Sequence, residues 1–134
     1  MTIIIKYDET EPFKKEFKKL KKRFPTLDED LRIAKKNAIE LFHLLKIDNQ
    51  SVFLVPGLGN EKFQICKIKK FACKALKGKG VQSGIRIIYA YCLEKATVDF
   101  LEIYFKTDTE NEDKERVRYF LRNKIEKAGA CENV

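Results

Sequence analysis

Apolar and polar positions repeat along this chain with two different periods. Near the N-terminus, "EPFKKEFKKLKKRF" places Phe13, Phe17, Leu20 and Phe24 at offsets of four, three and four. That spacing predicts one apolar stripe on a helix whose remaining surface is mostly lysine. Pro25 ends the helix, because proline has no N–H to donate. A second helix is predicted over residues 27–46, with Leu31, Ala34, Ala38, Leu41 and Leu45 as its apolar face. Thr26 followed three residues later by Glu29 reads as a capping box, with acids in the first turn. Two helices joined by so tight a turn form an antiparallel hairpin. Ahead of them, "TIIIKY" is β-rich and predicts a short strand over residues 2–7.

"NQSVFLVPGLGNEK" carries Pro56, Gly57 and Gly59 and reads as containing a loop. Beyond it the period changes to two. Extended segments are predicted over residues 63–76, 84–93 and 97–106, with turns at "KGKG" and "EKA", which makes an antiparallel meander. "TDTENEDKERVRYFLRNKIEK" then starts acidic and ends basic, as a helix dipole favours, and Val117, Phe120, Leu121 and Ile125 supply its apolar stripe. The result is an α+β arrangement: an N-terminal strand and helical hairpin, then an antiparallel β-meander and a C-terminal helix. Residues 1–134 read as a single domain, with 44% hydrophobic residues and ten Phe to fill a core. The opening apolar run is three residues long before a charge intervenes. No signal peptide or membrane span is expected, so the chain reads as cytoplasmic, without a membrane partner.

Charge changes the picture. The chain carries 28 Lys+Arg against 20 Asp+Glu, a net charge of +8. Residues 62–93 contain eight basic residues and no acid, so the whole surplus sits there. Lysines on an exposed strand face also keep a sheet soluble and guard its edge. An acid-free stretch in a chain that mixes signs elsewhere points instead to a polyanion. Period two shows where these charges go. Ile85, Ile87, Tyr89 and Tyr91 share one face, and Arg86, Ile88 and Ala90 the other. In "TVDFLEIYFK", Leu101, Ile103 and Phe105 form the apolar face, and Phe100, Glu102, Tyr104 and Lys106 oppose them. Cys66 and Ile68 alternate with Lys67 and Lys69. With the apolar sets turned toward the helices, Lys67, Lys69, Arg86, Tyr104 and Lys106 fall on one open face, a cationic surface with an aromatic in it. Such a surface suits phosphate contacts and base stacking. Lys70, Lys74, Lys77 and Lys79 are further candidates for RNA contacts, and Gly78, Gly80 and Gly84 are read as hairpin glycines.

The cysteines, Cys66, Cys73, Cys92 and Cys131, form no C-x-x-C pair, and the single histidine, His43, is distant from them in sequence. A zinc site is not expected, and reduced thiols are. His43 lies on the helical hairpin, away from the cationic face, and is expected to be structural.

Three segments in order, "CKIKK", "LKGKGVQSGIRIIYAY" and "FLEIYFKTDTENEDKERVRYFL", resemble the toxins of the RelE/ParE superfamily of bacterial and archaeal toxin–antitoxin systems. That family has a K-x-K strand, a G-x-R-hydrophobic-hydrophobic-Tyr strand, and a further strand ending in Lys before an acidic start to the last helix. The resemblance covers residues 62–121 well and the hairpin loosely. It implies the RelE-like fold and a small toxin held inactive by an antitoxin wrapped around it; the basic groove and the apolar helical hairpin call for an acidic, amphipathic segment in that antitoxin. RelE-like members cut mRNA, usually on the ribosome, and so inhibit translation. Their chemistry is metal-free and needs no cofactor. The RNA 2′-hydroxyl attacks the adjacent phosphate and leaves a 2′,3′-cyclic phosphate, while basic side chains and a Tyr orient the RNA and shuttle protons. By this resemblance Arg86, Lys67, Lys69 and Lys106 are the catalytic cations, with Lys70 a rival in register and Tyr104 standing in for the family's Tyr. Some of these nucleases place an Arg and a Tyr just after the last strand, where this chain has "TDTENED". A ParE-like toxin directed at gyrase, without nuclease activity, and a non-toxic nucleic-acid-binding relative are the alternatives.

Overall fold

The computed structural model describes residues 4–48, 50–69, 71–76 and 83–132, with side chains to residue 124. The chain forms β1 (Lys6–Glu9), α1 (Glu11–Arg23), α2 (Leu27–Ala34), a π-helical stretch (Lys35–Glu40), α3 (Leu41–His43), β2 (Val52–Leu54), β3 (Phe63–Ile68), β4 (Ile85–Cys92), β5 (Thr97–Phe105) and α4 (Lys114–Glu132). The sheet order is β1-β5-β4-β3-β2. β1 runs parallel to β5 and the other neighbours are antiparallel. This is the α+β class expected, with one strand more than the pattern predicts. β2 lies within the segment read as containing a loop, and it pairs Val52, Phe53 and Leu54 with Ile68, Lys67 and Cys66. Three residues are too few to show a period. Among the described residues no helix is long and apolar enough to cross a membrane.

α1 buries Phe13 and Leu20 as its stripe requires. Phe13 stacks on Phe100 with ring centroids 5.1 Å apart, and Tyr7 stacks on the same ring at 5.9 Å. The capping box is not formed: Thr26 makes no side-chain cap. Its hydroxyl donates to Asp30 at 2.8 Å and accepts from the Ala75 N–H at 2.9 Å. Asp30, itself buried, also accepts from the Lys74 N–H. This polar staple explains why the first meander strand stops at Ile68 and not at residue 76. Phe71 and Cys73 turn in under the hairpin and are buried there.

The largest departure from period two lies in β5. Pairing with β4 slips between Ile88 and Tyr89, so that Ile88 faces Glu102 while Tyr89 faces Phe100. Leu101 is the extra residue of a β-bulge. Phe100 therefore joins the cluster beneath α1–α3, and Leu101 turns to the opposite face, where it packs with Val117, Phe120 and Leu121 of α4. Phe100 and Leu101 exchange the faces that simple alternation assigns them. The face opposite the hairpin is consequently not open along its length. α4 covers the half formed by Phe63, Ile65, Ala90, Cys92 and Leu101.

His43 is buried at 4% exposure, hydrogen-bonded through Nε2 to the Tyr89 hydroxyl at 2.8 Å and stacked on Tyr91 at 3.9 Å. Burial, aided by Lys46, pulls its pKa down to about 4. The unfolded chain takes up this proton near pH 6.5 and the folded chain resists it. The stabilisation is complete above that value and lost as pH falls toward 4, with a total of about 3 kcal/mol. Because His43 is the single histidine, its ring resonances give the check directly. An NMR midpoint near 4 is expected, and one near 6.5 would place the ring in solvent. Cys66 lies beside it, 3.9 Å from Nε2, and burial pushes its thiol up to about 12. Neither group is placed for catalysis. Cys66, Cys73 and Cys92 are free and buried, and Cys131 lies where side chains are not described.

Candidate nucleic-acid interface

Three adjacent strands position the expected cations. β-Pairing sets Arg86 on β4 beside Tyr104 on β5. It also sets Lys67 on β3 between Phe53 on β2 and Ile88 on β4. Arg86 Nη1 donates to the Lys69 carbonyl at 2.9 Å and to its neighbour Ile85 at 3.4 Å. These bonds fix one edge of the guanidinium along the β3–β4 seam. Gly84 makes the entry to β4 possible. Its φ is +88°, and a Cβ there would sit 3.2 Å from the Phe105 ring, so a side chain would be strained twice over. The Gly84 carbonyl accepts the Lys106 N–H at 2.9 Å, which holds Lys106 across from the start of the Arg86 strand.

Lys69, Arg86, Lys106, Lys67 and Tyr104 thus share one face, but in two environments. Lys69 and Lys106 are exposed and Arg86 half-exposed. Among the described residues, no ion pair engages any of these three. Lys67 is different. Its side chain is 13% exposed and its Nζ lies 2.9 Å from Glu112, which is 10% exposed. Burial works against the Lys67 charge, but the Glu112 carboxylate and the nearby Tyr104 oxygen outweigh it and raise its pKa. The nearest charge to Lys67 is therefore an acid, which favours its protonated form.

Tyr104 is also not the accessible aromatic that alternation suggests. It is 5% exposed, under Lys67, whose Nζ stands 5.8 Å from the ring centroid. Its hydroxyl is buried without a hydrogen-bond partner, and burial raises the phenol despite the nearby ammonium. The exposed aromatic on this face is Phe53, 39% exposed, with Lys69 Nζ 4.7 Å from its ring centroid. Sequence reading missed Phe53 because it lies in the strand that was not foreseen. Its only signal was a Phe two residues from Val55 within "SVFLV".

Lys74 does not join the cluster. It pairs with Glu29 of α2 at 3.1 Å, and its backbone is held by Asp30 in the staple described above. Lys70, Lys77 and Lys79 lie outside the described residues, as do Gly78 and Gly80. Among the described residues, no group of three or more His, Cys, Asp or Glu could hold a metal ion. Among the described residues the face offers three cations without an ion pair, one exposed ring and a buried Lys–Glu–Tyr group beside them. It can bind a chain of phosphates with an unstacked base on Phe53.

No family model matches the chain, and no curated protein matches it. Two solved structures are similar to it. A chain of the archaeal RelE–RelB complex from Pyrococcus horikoshii is 12% identical, with 78% of this chain and 97% of that one covered and a TM-score of 0.48. A double mutant of the E. coli toxin RelE in the free state is 20% identical, with 81% and 90% covered and a TM-score of 0.47.

Proposed function

We propose that this chain is a RelE/ParE-type toxin that binds mRNA on the Lys69–Arg86–Lys106 face and cleaves it as an endoribonuclease. The observation that carries the reading is the unneutralised Arg86 guanidinium, braced on the Lys69 carbonyl at 2.9 Å and flanked by Lys69 and Lys106. In the proposed reaction the 2′-hydroxyl attacks the adjacent phosphorus and the bond to the 5′-oxygen breaks. The products are a 2′,3′-cyclic phosphate and a 5′-hydroxyl. The phosphorane between them carries extra negative charge, and a fixed guanidinium stabilises that charge without reorganising. Lys69 and Lys106 hold flanking phosphates, and Phe53 offers its face to a base. The partner this reading calls for is an antitoxin with an acidic amphipathic segment that covers the cations.

RNA affinity tests the face. With about four to six phosphates contacted, the log–log slope against salt is expected to be roughly −3 to −4 for a single strand. A flat dependence, or no RNA binding at low salt, removes the reading. The second reading, a gyrase-directed binding protein, draws on Glu112, which neutralises Lys67 where the nuclease chemistry calls for a free cation. Primer extension on cellular mRNA after induced expression separates the two. New 5′ ends mark the nuclease, and intact mRNA with gyrase-linked DNA breaks marks the alternative.

A further inference from the structure

The segment between β5 and α4 carries four carboxylates, Asp108, Glu110, Glu112 and Asp113, and it is tied down along its length. Asp108 pairs with Arg23 of α1. Glu112 pairs with Lys67. The Asp113 N–H donates to Glu102 at 2.9 Å. Glu112 is thus delivered onto the cationic face by anchors on either side. Its ion pair, at 13% and 10% side-chain exposure, is the least exposed among the described residues. The next, Arg116–Glu16, stands at 24% and 28%.

We propose that Glu112 is a built-in anion that occupies, on Lys67, the place of an RNA phosphate, so that RNA must displace the 107–113 segment to engage this lysine. This rests on the RNA-binding reading of the face. A carboxylate and a phosphodiester each bring one negative charge and accept the same N–H donors. Glu112 and a phosphate on the same ammonium would bring two negative charges together in a poorly solvated site, where they repel. Removing the carboxylate leaves Lys67 as a buried charge without compensation, and an incoming phosphate supplies what is missing. The buried, unpartnered Tyr104 hydroxyl lies beside Lys67 and is a second donor for the same anion. Lys69, Arg86 and Lys106, which carry no ion pair among the described residues, make the first contacts, and Lys67 makes the last. Held this way, Glu112 is a weak base, because the Lys67 ammonium outweighs burial and lowers the carboxyl's pKa.

The test is Glu112→Gln in the full chain, read by binding of a single-stranded oligoribonucleotide. The substitution keeps the shape and removes the charge. Affinity at low salt is expected to rise about tenfold, and the salt slope to steepen by about 0.7, the share of one added phosphate contact. In a Lys67→Gln background the same substitution is expected to change neither. Unchanged or weaker binding by Glu112→Gln overturns the proposal, as does a loss of cleavage without any gain in affinity. An equal gain in the Lys67→Gln background also overturns it, since that marks only a change in overall charge. Inorganic tripolyphosphate, followed at the Lys67 ammonium by NMR, separates this proposal from the RNA reading. If tripolyphosphate binds more tightly to the variant while neither protein binds RNA, the role of Glu112 stands and the RNA assignment falls.

Discussion

Alanine in place of Phe100 is expected to cost about 3–5 kcal/mol, and alanine at its neighbour Leu101 about 2–5 kcal/mol, with opposite helices loosened. Both side chains are essentially fully buried, so each substitution leaves a cavity that close-packed surroundings fill only in part. Phe100 is stacked between Phe13 of α1 and Tyr7 of β1 and packs edge-on to Tyr89. Its loss removes the contact that seats α1 on the sheet. Leu101 packs with Val117, Phe120 and Leu121, and its carbonyl accepts a bond from Arg116 at 3.1 Å. Its loss frees α4. Chemical denaturation gives the two costs, and amide exchange gives the location. Protection should fall first in α1 for Phe100→Ala and first in α4 for Leu101→Ala. Loss of protection in one and the same helix would mean that the bulge between Ile88 and Tyr89 is absent and that simple alternation holds.

That bulge also shows where sequence reading stops. The stripe of α1, the Val117, Phe120 and Leu121 part of the α4 stripe (the Ile125 side chain lies outside the described residues) and the β4 alternation from Ile85 to Tyr91 were legible, because each follows its period and burial enforces it. One residue inserted in β5 leaves no trace in composition. It reverses Phe100 and Leu101 while sparing Ile103, Tyr104 and Phe105, which lie on the near side of the slip. β2 was illegible because a three-residue edge strand is defined by its partner β3, not by its own pattern. The N-terminal strand, expected over residues 2–7, is found at Lys6–Glu9, and residues 2 and 3 of that expectation lie outside the described residues. Apolar composition marks it early, but pairing with Thr97 to Phe100 of β5 decides its position.

The candidate site divides in the same way. That Lys67, Lys69, Arg86, Tyr104 and Lys106 share a face followed from period two and from the order of the strands. Their environments did not, because those depend on what crosses the face from a distant part of the chain. The acidic run after Lys106 reads, in sequence, as the electrostatically favoured start of a helix. In the structure the helix begins only at Lys114, and the run is a loop that brings Glu112 to a lysine 45 residues away. One local charge pattern served two long-range outcomes, and only the fold distinguishes them.

Arg86→Lys is expected to lower the rate of RNA cleavage about 100- to 1000-fold, the usual loss for one well-placed transition-state donor, while RNA affinity changes little. The asymmetry follows from the geometry. One guanidinium nitrogen, Nη1, is committed to the Lys69 and Ile85 carbonyls. The rest of the fork remains for two oxygens of one phosphate. An ammonium keeps the charge that attracts RNA. It has a single nitrogen and cannot both hold the β3–β4 seam and span two phosphate oxygens, so the loss appears where charge develops on phosphorus. The fold should tolerate the change, since Arg86 is half-exposed and its neighbours Ile85 and Ile87 carry the packing. Growth inhibition is expected to fall with cleavage, EDTA to leave cleavage unchanged, and the 3′ product to end in a phosphate or cyclic phosphate. An Arg86→Lys protein that remains fully toxic would remove Arg86 from the chemistry. Toxicity with intact mRNA and gyrase-linked DNA breaks would transfer the face from a nuclease to a gyrase-directed binder.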